Sequence, residues 1–211
     1  MRSSTPFVAL LASLWLAATC ASQTEAPGAA ADAGATELLT SACERALAGL
    51  APDPEPPPAA LPPELGPAAR ALHGTGMGAR VIALETALER STRLALADAK
   101  PWLETAAAKF EPERAKLADS DDALSAAFRS ASERELREQL APAAARHLEE
   151  TGAPAALASV RDGASRLPLP RSIDLDLVSV VTDRAVRSFF DALAEQERRI
   201  RQERVALQGG R

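Results

Sequence analysis

The sequence predicts an all-α protein, a single multi-helix bundle of about seven to eight helices closed by a long C-terminal helix. Three observations predict it. Alanine supplies nearly a quarter of the 211 residues, tyrosine is absent and aromatic residues make up only 3%, so strong helix formers outweigh the β-branched and aromatic residues that strands favour. Apolar residues recur three and four apart through most of the chain. Capping and breaking residues (Asp, Ser, Pro, Gly) fall between those stretches. With 46% apolar and 25% charged residues the chain has globular composition, and its length allows one domain plus a tail. The net charge of −5 excludes a generic nucleic-acid binder, which needs a basic stripe against the phosphates.

The first segment, 1–19, reads as a signal peptide. Met1-Arg2 gives a short positive start, and Phe7 to Ala18 is an uncharged apolar run. As a helix it would rise only ~18 Å, short of the ~30 Å hydrocarbon layer, but it has the length of a signal-peptide core. Leu16-Ala17-Ala18-Thr19-Cys20 then resembles a lipobox, in which small residues lead into a cysteine that becomes the lipidated N-terminus. It departs from the usual pattern at Ala17 and Thr19. Acylation at Cys20 ranks first, with simple cleavage into the periplasm and an uncleaved anchor behind it. Ala21, rather than Asp, after Cys20 favours the outer membrane under the Gram-negative sorting rule. The expected location is therefore the periplasmic face of the envelope, with the membrane engaged through the N-terminal lipid.

Residues 20–35 are small, weakly polar and aperiodic, the composition of a flexible tether with a reach of about 20 Å. Residues 36–50 form the first expected helix, capped by Thr36, with Leu39, Cys43, Ala46, Leu47 and Leu50 at helical spacing. With Cys20 acylated, Cys43 is a lone thiol and reads as a buried structural residue. Residues 51–63 are so rich in proline that an extended, semi-rigid spacer is expected.

The main helical domain spans 64–207. Pro67 to His73 is a short helix, and the cluster from Gly74 to Gly78 reads as a helix–helix turn rather than a phosphate loop, because no strand precedes it. Ala79 to Ala97 follows, with Val81, Leu84, Leu88 and Ala95 on one stripe. Asp98 is expected to cap a new helix with Pro101 in its first turn. Pro112 to Ala118 reads as a further short helix. Asp121 is expected to cap Ala123 to Ala131, and Ser132 to Glu135 to form a capping box opening the next helix, which ends at Gly152. Pro154 to Leu167 is another helix and Pro168-Leu169-Pro170 a hinge. The last helix runs from about Asp174 to Leu207. Its first half is core, while Glu195 to Arg204 is polar nearly all round. That second half reads first as a solvated, projecting helix end, with a docking surface at Glu195, Glu197, Arg198, Ile200 and Arg201 as the sharper alternative.

From about Leu65 to Arg204 the chain resembles the bacterial family called domain of unknown function 4197. The match is carried by Asp176-Leu177, Val180-Val181-Thr182, Ala185-Val186 and Phe189-Phe190, followed by Glu195, Glu197, Ile200 and Arg201. Phe128-Arg129, Ser132, Leu136, Leu140 and Pro142 add to it, as do Gly76-Met77-Gly78 and Leu84-Glu85. The chain departs where the family has Asn-Arg-Ala-Ala-Glu and this sequence has Glu89-Arg90-Ser91-Thr92-Arg93. Ala127 and Val180 stand where the family has tyrosine, and Arg114 where it has an acid. The resemblance implies an exported helical domain and no activity.

No catalytic, cofactor or metal site is expected. His73 and His147 are the two histidines, with no cysteine or carboxylate pair at ligand spacing. His147 reads as a solvated residue beside Glu149 and Glu150, and no serine sits in a nucleophile elbow. The expectation is a non-enzymatic, lipid-anchored binding or scaffold module with an envelope protein as partner. The alternative is a periplasmic carrier of a small apolar or lipid ligand within the bundle, and an unrecognised hydrolase ranks third.

Overall fold

The structure is a computed structural model that describes residues 27–53, 61–62, 65–111, 120–167 and 175–209. Among these the chain is helical and contains no strand. Six helices follow in order: α1 Pro27–Gly49, α2 Gly66–Gly74, α3 Gly78–Lys109, α4 Ala123–Thr151, α5 Ala153–Ser165 and α6 Leu177–Gly209. The expectation of seven to eight is too high for the described residues, because two of its boundaries do not exist. The short helix at 112–118 and the hinge at 168–170 lie outside the described residues.

The first missing boundary is at Asp98. Its carboxylate caps nothing and instead reaches sideways to α4, meeting His147 Nε2 at 2.6 Å. α3 therefore runs for 32 residues straight through Pro101. A mid-helix proline removes one backbone bond and crowds the preceding turn. Here Leu96, Ala99 and Leu103, all buried on either side of it, hold the helix together by tertiary packing. The second is at Ser132, whose hydroxyl donates back to Phe128 O at 2.7 Å. That is the i−4 bond of a serine within a helix, so α4 continues for 29 residues.

Expected turns are found where glycine is required. Gly76 has φ +76° and Gly152 φ +73°, the left-handed region that glycine enters without a Cβ penalty. Gly152 ends α4 and opens α5 in a single residue. α6 begins at Leu177, with Asp176 Oδ1 accepting from the amides of Val178 (3.0 Å) and Ser179 (3.2 Å).

The long helices alternate in direction. Thr36, in the first half of α1, bonds Phe110 O just past the end of α3, while Arg93 of α3 reaches Ala51 O just past the end of α1. α4 runs against α3, since Phe110 meets Phe128 edge to face and Asp98 meets His147. α6 runs against α4, with Ser125 beside Glu197 and Arg137 beside Asp183. Two antiparallel steps set α6 roughly parallel to α3. The C-terminal ends of α3 and α6 and the N-terminal end of α1 thus share one pole of the bundle.

The core has two compartments. One joins α1, α3, α4 and α6 around Phe128, Phe189 and Phe190, whose rings meet edge to face with centroids 6.2 and 5.1 Å apart. The other, at the opposite pole, packs α2 and α5 on α3, α4 and α6 through Leu65, Leu72, Leu84, Leu88, Leu157 and Val181. α1 is integral to the first compartment: Leu38, Leu39, Ala42, Cys43, Ala46 and Leu47 are all buried. It also begins at Pro27, nine residues before the expected cap at Thr36, so helix occupies part of the stretch expected to be tether.

Candidate functional site

The segment expected to offer a docking surface does something else with its central residues. α6 continues its inward stripe one step past Leu193, to Glu197 and Ile200. Glu197 is fully buried. Its carboxylate accepts from Leu124 N at 3.3 Å, Ser125 N at 2.7 Å and Ser125 Oγ at 2.6 Å. Those amides are the second and third of α4, the pair that an N-cap side chain normally satisfies. The residue at the cap position, Asp122, makes no such bond, and Asp121, the expected cap, is replaced in that role by a carboxylate from another helix. Arg201 Nε and Nη2 then donate to Glu197 Oε1 at 3.0 and 2.6 Å.

The five residues therefore separate. Glu197 and Ile200 are interior, and Arg201 serves Glu197, so the expectation of a helix end solvated nearly all round is corrected. Glu195 and Arg198 lie at the surface, joined at 2.9 Å, with Arg198 also reaching Asp122 at 3.1 Å. Hydrogen bonds from Arg198 and then Arg199 hold the Glu195 carboxyl below its ordinary range. Glu195 reciprocally pushes the Arg198 guanidinium up. The sequence carried a signal for this: positions 189, 193, 197 and 200 keep helical spacing, and only the charge at 197 conceals that the stripe goes on.

A second cluster lies between α3 and α4. His147 is buried rather than solvated, because it sits on the stripe of Leu140, Ala144 and Leu148. Its Nε2 is 2.6 Å from Asp98 Oδ2 and its Nδ1 2.7 Å from Glu150 Oε2. Arg146 also bonds Asp98. Both ring nitrogens thus face carboxylates of the protein itself. Ser91, two turns before Asp98 on α3, donates to Ala87 O at 2.8 Å, lies 3.3 Å from the backbone oxygen of His147 and meets the hydroxyl of Thr151 at 2.8 Å. A serine relay needs that hydroxyl on the imidazole ring; here it meets backbone oxygens and the Thr151 hydroxyl. The arrangement is a clamp across two helices. Among the described residues no group of three His, Cys, Asp or Glu is placed to hold a metal.

The segment Glu89 to Arg93 has its own account. Ser91 and Thr92 are buried, with hydroxyls on Ala87 O and Leu88 O. Glu89 pairs with Arg93 at 2.9 Å and faces Arg184 of α6 at 4.0 Å. Burial is the main cause that draws the Arg184 guanidinium below its ordinary value, with Glu89 opposing it. These residues join α3 to α6 and to the end of α1.

Cys43 is buried as expected, and burial, then Glu104 and Glu44, pushes its thiol up to about 12. Beside α1, a groove of about 150 Å³ is lined by Leu47, Leu50, Pro52, Leu96, Ala97 and Lys100. Cys20 lies outside the described residues. No helix among the described residues is long and apolar enough to cross a membrane.

A family model described as a protein of unknown function, DUF4197, matches residues 29–209. No curated protein and no solved structure matches the chain. The match takes in α1, in keeping with its place in the core.

Proposed function

For a chain that belongs to the domain of unknown function 4197 family, we propose a lipid-anchored, non-enzymatic binding or scaffold module on the periplasmic face of the cell envelope, acylated at Cys20. The observation that carries this reading is the relation of Cys20 to the bundle. Six residues separate it from α1, which starts at Pro27, a span of at most about 25 Å when fully extended. An anchor at Cys20 holds the bundle by the pole that α1 enters.

The test is metabolic labelling with palmitate in the native host, with envelope fractionation. The expected result is label on the full chain and none on Cys20→Ala, with the variant lost from the membrane fraction. Label that persists in Cys20→Ala, or none in either form, would sink the lipoprotein reading.

The carrier reading draws on the α1–α3 groove. Its volume of about 150 Å³ suits a ring-sized apolar ligand, below the roughly 300–1,000 Å³ of pockets for larger ones. Native mass spectrometry of the purified chain separates the two: a co-purified small apolar molecule, lost on Ala97→Leu, supports the carrier.

A further inference from the structure

The geometry points to the C-terminal tip of α6 as an interfacial contact with a phospholipid surface, orienting the anchored bundle pole-first on its membrane. The inference rests on the lipid anchor proposed for Cys20. Two of the large apolar side chains exposed among the described residues lie at this tip, Val205 at 69% and Leu207 at 76%. The third, Ile82, is in the first turns of α3, at the other pole.

Where the anchor falls selects the partner. α6 ends at the pole where α1 begins, and six residues separate α1 from Cys20. A lipidated Cys20 places this tip, not the α2–α5 pole, next to the bilayer.

The charge fits the same surface. From Arg198 to Leu207 the helix carries Arg198, Arg199, Arg201 and Arg204 against Glu203 alone, a surplus of three in a chain whose net charge is −5. Arg198, Arg199 and Arg201 are paired with Glu195, Asp122 and Glu197, and Glu203 with Arg45; with all these partners counted the tip keeps a surplus of one positive charge. Arginines beside exposed apolar side chains are what a helix offers to anionic headgroups.

The depth of contact follows from the geometry. Val205 and Leu207 are two residues apart, about 200° around a helix, so they flank its axis rather than form a stripe. The tip therefore meets the surface end-on and stops at headgroup depth, where the last carbonyls of the helix keep their water. Such a contact orients a domain that its acyl chains already hold.

The experiment places an environment-sensitive fluorophore on the full acylated chain at Ala206→Cys, and separately at Glu149→Cys on the opposite pole, with buried Cys43 unreactive. Both are reconstituted on vesicles of phosphatidylethanolamine and phosphatidylglycerol and recovered by flotation. The expected result is a blue shift and quenching by brominated lipid at position 206 and none at 149. Adding Val205→Asp and Leu207→Asp should reduce the signal at 206 to the level at 149, with helicity and flotation unchanged. Floating protein whose 206 probe is as water-exposed as its 149 probe overturns this inference and leaves the anchor standing. A blue shift that grows with protein density and ignores brominated lipid means a second copy covers the tip, which also overturns it. Chain that is not acylated and does not float overturns both readings together.

Discussion

Glu197 is the residue on which two helices depend. Its carboxylate, itself out of contact with water, caps α4, meets Ser125 and receives the half-buried Arg201. Truncation would leave two amides, a hydroxyl and a guanidinium short of an acceptor. Loss of a cap costs about 0.5–2 kcal/mol, and breaking a buried charge pair about 3–5. Glu197→Ala should therefore lower unfolding free energy by about 3 kcal/mol, read as a lower urea midpoint at unchanged slope. Glu197→Gln retains an acceptor and should lose less.

Cys43 makes a prediction in alkali. Its thiol is raised from an ordinary value of 9.0 to about 12 in the fold. The unfolded chain gives up this proton first, so the contribution is complete below about pH 9 and is lost as pH climbs toward 12. With no tyrosine in the chain, this limb is not overlaid by phenol titration. Denaturation midpoints measured across that range should fall, and Cys43→Ala should flatten the decline.

These two residues also mark how far a sequence can be read at this scale. The burial of Cys43 was legible because its neighbours at helical spacing are apolar. Glu197 and His147 lie on equally regular stripes, but each is charged or polar, and its partners are 72 and 49 positions away in sequence. Periodicity says where a side chain points; it does not say what waits there.

At the scale of elements, the fold class, the short α2, the glycine turns and the position of α5 follow from composition, spacing and breakers. The boundaries at Asp98 and Ser132 did not, and for one physical reason. Asp and Ser cap helices with the same oxygen that can bond sideways or backwards, and which bond forms depends on the neighbouring helix. α3 consequently carries a proline in its interior. Pro101→Ala should restore the missing amide bond and relieve the preceding turn, with some of the gain offset by a more flexible unfolded chain. The expected outcome is a stabilisation of about 1–2 kcal/mol, seen as a higher melting temperature at unchanged helicity.

For the whole molecule, the sequence suggested a helical domain from 64 to 207 with a separate helix before it. The packing redraws that boundary. α1 contributes Leu38, Leu39, Ala42, Cys43, Ala46 and Leu47 to the compartment holding Phe189 and Phe190, and Arg45 grips both carboxylate oxygens of Glu203 at 3.1 Å. A chain beginning at 64 should therefore retain far-ultraviolet helicity but lose cooperative unfolding and bind a hydrophobic dye. The same chain extended back to 27 should unfold in one sharp transition. If the shorter chain melts as sharply as the longer, α1 is an accessory.

The cap that α6 supplies to α4 also sets an order of events. A helix normally closes its first turn with a side chain from its own sequence, so it can form as soon as it is made. α4 cannot, because its closing carboxylate lies 72 residues downstream. A chain made from its N-terminus must wait for nearly its full length before this turn is secured. Completion of the fold thus reports that the C-terminal helix has arrived, and a chain truncated before Glu197 is marked by a frayed helix that proteases can reach.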